Sequence, residues 1–313
     1  MMQIHQSTLA AELLKEAQAL KETDTSRSEQ LASEAAMKGK ETGEWLTVGE
    51  ALLVIAYCHY RCGKFSEMLT IASKGLALFT AEQDEFRAAK AHHFLGMASI
   101  YLSKYSDAIS HLQKALATFE ALNDAHWTAQ SLNNFGHVYC LLTDYISAVE
   151  AMQKSVSILE SLGKRYESAA ALNNLANVYA TLGNYTSAFE FYQKSLVIFS
   201  EVGNKHFESN VLLNIGDVLL LQGNHSGGLD VLEKGLSIKR EIRDVFGEAR
   251  ALASIGEALL LKSEREDAKE LLKTAMRLYQ QIGNRQGEAS TALKLGKAYQ
   301  SQFNRDGTID EKH

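Results

Sequence analysis

Between Ala171 and Asn204 the apolar and small residues fall on two successive stripes with helical spacing. Leu172, Leu175, Ala176 and Tyr179 share one face of a first helix, and Tyr185, Ala188, Tyr192 and Ser195 share one face of a second. The pattern predicts a helical hairpin. Gly183 is expected to end the first helix in the left-handed conformation, with Asn184 capping the start of the second and Gly203–Asn204 marking the next turn. Ala176 and Ala188 are small where the two backbones should approach. Bulk there is expected to cost roughly 1–3 kcal/mol through overpacking.

The hairpin then repeats. The position of Ala176 recurs every forty residues as Ala56, Gly96, Gly136, Gly216, Gly256 and Gly296. The ring after the turn recurs as Phe65, Tyr105, Tyr145 and Tyr185, then gives way to His225 and Arg265. The small residue of the second helix recurs as Ala108, Ala148, Ala188, Gly228 and Ala268, with Met68 as the exception. No insertion breaks this register between Gly43 and Gly283. Self-similarity at a fixed period implies a stack of supersecondary units, each packed on its neighbours without a common core.

The string Leu-Gly/Ala-x-x-Tyr, followed by an aromatic, then Ala, then Ala, Ser or Gly, resembles the tetratricopeptide repeat (TPR). The match is strongest over Leu132–Gly163 and Leu172–Gly203. TPR units usually run to about 34 residues and often close their second helix with a proline, but this chain has none. Thr80, Glu120, Glu160, Ser200, Arg240 and Gln280 stand there instead, so the helix is expected to run on to Gly163, Gly203 or Gly283. Long repeats of this kind are similar to those of kinesin light chain, LGN-type adaptors and the bacterial Rap/PlcR peptide sensors. HEAT repeats are of comparable length but lack this small-residue and aromatic signature. The resemblance implies an all-α, right-handed solenoid of about six to seven hairpins, or thirteen to fourteen helices.

Four segments are expected. Residues 1–44 read as a degenerate hairpin. Leu9, Leu13, Leu14, Ala17 and Leu20 lie on one helix, and Ser26 with Glu29 form a capping box for a second helix that carries Leu31, Ala32, Ala35 and Ala36. Residues 45–285 hold six repeats. Residues 286–302 give the first helix of an incomplete seventh, and 303–313 a polar tail or truncation point. Ala292, Leu295 and Tyr299 form a stripe that earlier units cover with a second helix. That edge is expected to dock on a second copy of the chain, on a groove elsewhere or on the rest of a longer protein.

The net charge of -6 argues against a general nucleic-acid binder. Met1–Ser7 is too polar for a secretory signal, and no apolar run reaches membrane-spanning length. Cys58, Cys62 and Cys140 are few and odd in number, as in a reducing cytoplasm, and read as buried or half-buried structural thiols. Cys58, His59 and Cys62 are too few to hold a metal, and the adjacent His92 and His93 read as structural too. No phosphate-binding loop, nucleophile elbow, zinc-ligand motif or triad spacing stands out. No catalytic residue, metal or cofactor is therefore expected, and function is assigned to the surfaces that repetition leaves free.

Opposite the packed stripe, the first helices carry Gln130, Asn133, Asn134 and His137; Asn173, Asn174 and Asn177; then Asn210, Asn214 and Asp217; then Glu257. Asparagine is a mediocre helix former, so its clustering on one face wants another reason. A carboxamide offers both donors and an acceptor, and a ladder of them matches the backbone of an extended peptide. The resemblance to kinesin light chain and the Rap/PlcR group implies the same use of these positions. The alternative for Asn134, Asn174 and Asn214 is a bond to the neighbouring repeat. Leu213, Leu220, Leu221, Leu260 and Leu261 follow, part of them core and part an apolar groove patch suited to an amphipathic helix. Two functions fit: an adaptor that binds a peptide or protein segment in its concave groove, or the sensory module of a larger bacterial signalling protein ending in a cyclase, kinase or DNA-binding regulator.

Overall fold

The computed structural model describes residues 8–306, and side chains through residue 299; all of its regular structure is helical. The chain forms two compact units, 1–163 and 164–313. The first contains α1 (Leu9–Leu20), α2 (Thr25–Thr42), α3 (Trp45–Arg61), α4 (Phe65–Ala81), α5 (Glu85–Tyr101), α6 (Tyr105–Ala121), α7 (Ala125–Leu141) and α8 (Tyr145–Ser161). The second contains α9 (Arg165–Thr181), α10 (Tyr185–Val202), α11 (Lys205–Leu221), α12 (His225–Glu241), α13 (Val245–Leu261), α14 (Arg265–Gln281) and α15 (Arg285–Asp306). Fifteen helices are thus described, more than the thirteen or fourteen expected. Helix α15 also runs past residue 302, through a segment read as tail.

Repetition is finer than the hairpin. From Gly43 to Gly283 a residue with positive φ stands at every twentieth position, seven of them glycine. The other six are Gln83, Ser103, Asn123, Thr143, Arg243 and Ser263, at φ between 55° and 67°. Eleven of these thirteen turns close with the same two bonds: at Gly183 its N–H reaches Ala180 O at 3.0 Å, and Asn184 N–H reaches Tyr179 O at 2.9 Å. These bonds satisfy carbonyls that the helix end leaves open. Where the next residue is Asp or Asn, its side chain caps the following helix, as where Asn184 accepts from Ser187 N. In α2 that role falls to Asp24, which accepts from Arg27 N at 2.9 Å, and not to the Ser26 capping box.

Small residues set the spacing inside each hairpin. A Cβ on Gly136 would lie 2.4 Å from Met152 Cγ and 3.1 Å from the Ala148 carbonyl, so α7 and α8 meet at a distance only glycine allows. Ala176 and Ala188 are fully buried at the equivalent contact. In each unit the first helices of successive hairpins touch one another, as α3 with α5 and α11 with α13, whereas the second helices touch only their chain neighbours. The first helices therefore form the tighter inner layer, and the faces carrying the asparagines belong to it.

Candidate functional site

In the second unit, α9, α11 and α13 bring five of the expected residues into one bonded face. Asn214 donates from Nδ2 to Asn173 Oδ1 at 3.0 Å and, more weakly, to Asn177 Oδ1 at 3.4 Å. The Tyr192 hydroxyl on α10 donates to Asn177 Oδ1 at 2.5 Å. Arg250 Nη2 donates to Asn214 Oδ1 at 2.5 Å and pairs with Asp217 Oδ2 at 3.1 Å. Asn210 Oδ1 accepts from Lys239 Nζ at 2.6 Å. Every one of these four carboxamide oxygens is thus engaged within the unit.

The consequence is a face of fixed polarity. With their oxygens committed, Asn173, Asn177 and Asn210 have no partner for Nδ2 among the described residues. Each side chain is half-buried or exposed. Of the expected ladder of donors and acceptors, the carboxamides therefore offer donors, while the Arg250 guanidinium binds Asn214 and the Asp217 carboxylate.

Two residues that set this polarity escaped the sequence reading. Arg250 occupies the repeat position of Asn210 and Gln130, so it was recoverable from the forty-residue spacing. Lys239 is less legible, because it stands where Phe79, Phe119, Leu159, Phe199 and Tyr279 fill the other hairpins. It is 1% exposed, and Nζ bonds Asp244 Oδ2 at 2.7 Å as well as Asn210. Burial pushes its pKa down against the pull of Asp244. Gly247 makes the room: a Cβ there would lie 2.4 Å from Lys239 Cδ.

The remaining expected residues are placed differently. Glu257 is drawn into an ion pair with Lys294 at 2.6 Å. Leu213 and Leu220 are core residues, not groove patch. They lie under α12, where Gly235 and Gly228 lack the side chains that would collide with them. Leu260 packs partly against the same cluster, while Leu221 and Leu261 are exposed. At α15, Ala292 and Tyr299 are exposed, and Lys269 Nζ lies 4.9 Å from the Tyr299 ring. Leu295 is instead packed against the core that includes Leu272. Asn174 is half-buried.

In the first unit, Asn134 bonds the preceding repeat, donating Nδ2 to His93 Nε2 at 3.2 Å, as Asn214 bonds its own preceding repeat. His93 is fully enclosed, and burial holds its pKa down at about 3. His93 Nδ1 is therefore the protonated nitrogen, facing Ser131 Oγ at 3.3 Å. His137 sets its ring edge-on to Tyr101 at 5.8 Å, and burial lowers its pKa. Gln130 and Asn133 are half-buried on the same helix. Cys58 is buried and Cys140 half-buried, but Cys62 is exposed, contrary to the expectation for all three. No described helix is long and apolar enough to cross a membrane.

A family model for the tetratricopeptide repeat matches residues 87–161 and 167–241. No curated protein matches the chain in sequence. Among solved structures, the apo quorum sensor NprR from B. thuringiensis is 16% identical at a TM-score of 0.66, covering 94% of this chain and 82% of its own. A Rap protein complexed with Competence and Sporulation Factor is 13% identical, TM-score 0.64, covering 93% and 98%. The STAND signal-transduction ATPase with a tetratricopeptide repeat sensor from Pyrococcus horikoshii is 16% identical, TM-score 0.69, covering 96% of this chain but 49% of that one. At these identities the likeness is one of fold.

Proposed function

Because the chain belongs to the tetratricopeptide-repeat family, we propose that it is a protein-interaction module whose second unit captures an extended peptide segment through the segment's acceptors. The observation that carries this reading is the polarity of the α9–α11–α13 face. Four carboxamide oxygens are used internally, and three amide NH2 groups are left with a guanidinium beside them. Backbone carbonyls, or a terminal or side-chain carboxylate, are the groups such a face binds. A fixed donor array also loses little side-chain entropy on binding, because the internal bonds already hold the rotamers. Support by likeness comes from the Rap protein that is complexed with a factor and from the quorum sensor NprR.

The test is a substitution that changes polarity and not shape. Peptides selected from a random extended library against the full chain serve as ligands. Asn173→Asp and Asn177→Asp keep the oxygens that Asn214 and Tyr192 need but replace each free NH2 by a second acceptor. Each is expected to weaken binding at least tenfold with the unfolding midpoint little changed. Unaltered affinity in both variants would reject the donor face as the binding site.

A further inference from the structure

The first unit contains a side-chain pair that the proposed binding face does not use. His92 on α5 and His111 on α6 face each other across one hairpin, with Nδ1 atoms 2.9 Å apart and ring centroids 5.1 Å apart. Forty-residue spacing places Leu52 and Ile71, Leu132 and Ala151, Leu172 and Phe191, Leu212 and Val231, and Leu252 and Leu271 at the same two positions. Both members of an apolar contact have thus become histidine in one hairpin alone. Packing does not explain the exchange, since a half-buried polar pair gains little over apolar groups of similar shape.

We propose that His92 and His111 form a two-histidine site for a divalent transition metal ion, Cu2+ foremost. The spacing fits the ion. Two imidazole nitrogens about 2.05 Å from one metal and about 90° apart are about 2.9 Å from each other, whereas a tetrahedral angle needs about 3.3 Å. The general order of divalent affinities puts Cu2+ ahead of Zn2+. Both side chains are only partly buried, so an ion has access. No described group of three His, Cys, Asp or Glu residues converges on one point, and the other coordination positions fall to water. Asp107 lies on the favourable side of the local field and Lys114 on the unfavourable side. In the free pair one Nδ1–H donates to the other Nδ1. When the ion enters, that proton moves to Nε2 of the same ring, and two neutral imidazoles ligate with no net proton released.

The experiment titrates the full chain with Cu2+ alone, read by electron paramagnetic resonance and by the thermal unfolding midpoint. One equivalent is expected to give a tetragonal spectrum with nitrogen coupling and to raise the midpoint, because the ion ties α5 to α6. His92→Leu with His111→Ala, which restores residues found in the other hairpins, should fold by circular dichroism and lose both effects. Should that pair fail to fold, His92→Gln and His111→Gln singly are expected to weaken Cu2+ binding at least tenfold. The same spectrum and shift in a folded variant, or no nitrogen-coupled signal from the unmodified chain, would overturn the proposal and leave the pair a hydrogen bond only.

Discussion

Asn214 and Asn173 are forty-one residues apart in sequence and joined by a single bond of 3.0 Å from amide to carboxamide oxygen. That bond makes Asn173 part of the repeat interface as well as of the exposed face. The sequence alone put the second role first for Asn173 and the interface bond second. Together with Asn177, which holds the hydroxyl of the buried Tyr192, it couples the proposed binding face to stability.

Replacing Asn173 and Asn177 together by Ala is therefore expected to lower stability by about 1–3 kcal/mol, since two donors, the Tyr192 hydroxyl and Asn214 Nδ2, lose their acceptors at about 0.5–1.5 kcal/mol each. Urea denaturation of the double variant beside the two aspartate variants separates the roles. The alanines should move both midpoint and affinity, and the aspartates affinity alone.

Lys239 offers a second check. Lys239→Met removes the donor from Asp244 and Asn210, and leaving a mostly buried carboxylate with only Gly247 N and the more distant His206 is expected to destabilise by about 2–4 kcal/mol. Lys239→Met with Asp244→Asn removes the stranded charge while the asparagine can still cap α13 through Gly247 N. The double variant should recover at least half of the loss in chemical denaturation. A double variant no more stable than the single one would show that the charge was not the cause.

Acid should weaken the first unit through His93. Burial holds its folded pKa at about 3 against an ordinary value of 6.5. The unfolded chain therefore takes up the proton first, and stability is complete above pH 6.5 and falls as pH drops toward 3. The slope approaches about 1.4 kcal/mol per pH unit for this one group. His93→Asn, the residue present at Asn133 and Asn173, should flatten the difference in unfolding free energy between pH 7 and pH 5. An unchanged pH dependence would place the titration elsewhere.

The turns make a local prediction. Thr143 holds φ at +62°, a conformation that a β-branched residue adopts only under constraint. Thr143→Gly is expected to stabilise by about 1 kcal/mol. Gly136→Ala should destabilise by about 1–3 kcal/mol against Met152, while Gly296→Ala, where a Cβ meets nothing within 4 Å, should be neutral or slightly stabilising. Thermal denaturation of the three single variants orders them directly.

Much of the fold was legible because its signals were redundant. Gly183, Asn184, Ala176 and Ala188 each announce one part of the hairpin, and each does in the structure what its chemistry implies. Gln83, Thr143 and Arg243 announce nothing, since none favours positive φ, yet the spacing forces them into it. The face was harder to read. Helical spacing places Leu213 beside the asparagines but cannot tell that Gly235, on another helix, leaves the space into which it sinks. Nor does spacing reveal which end of a carboxamide is already taken. Lys239 decides that for Asn210 from a position that is a large apolar side chain in the other hairpins.

Among the described residues, each helix touches only helices one or two places away along the chain. Such a connectivity contains no keystone. Loss of a terminal helix exposes one neighbour and spares those further in, so unfolding can proceed from an end by peeling, and its early steps can be partial. Helices α11 and α13 each have neighbours on both sides, whereas α15 has none beyond it among those described. Amide exchange should therefore show a gradient within the second unit, fastest along α15 and slowest where Asn214 and Arg250 lie, which keeps the donor array assembled while the margin of the unit breathes.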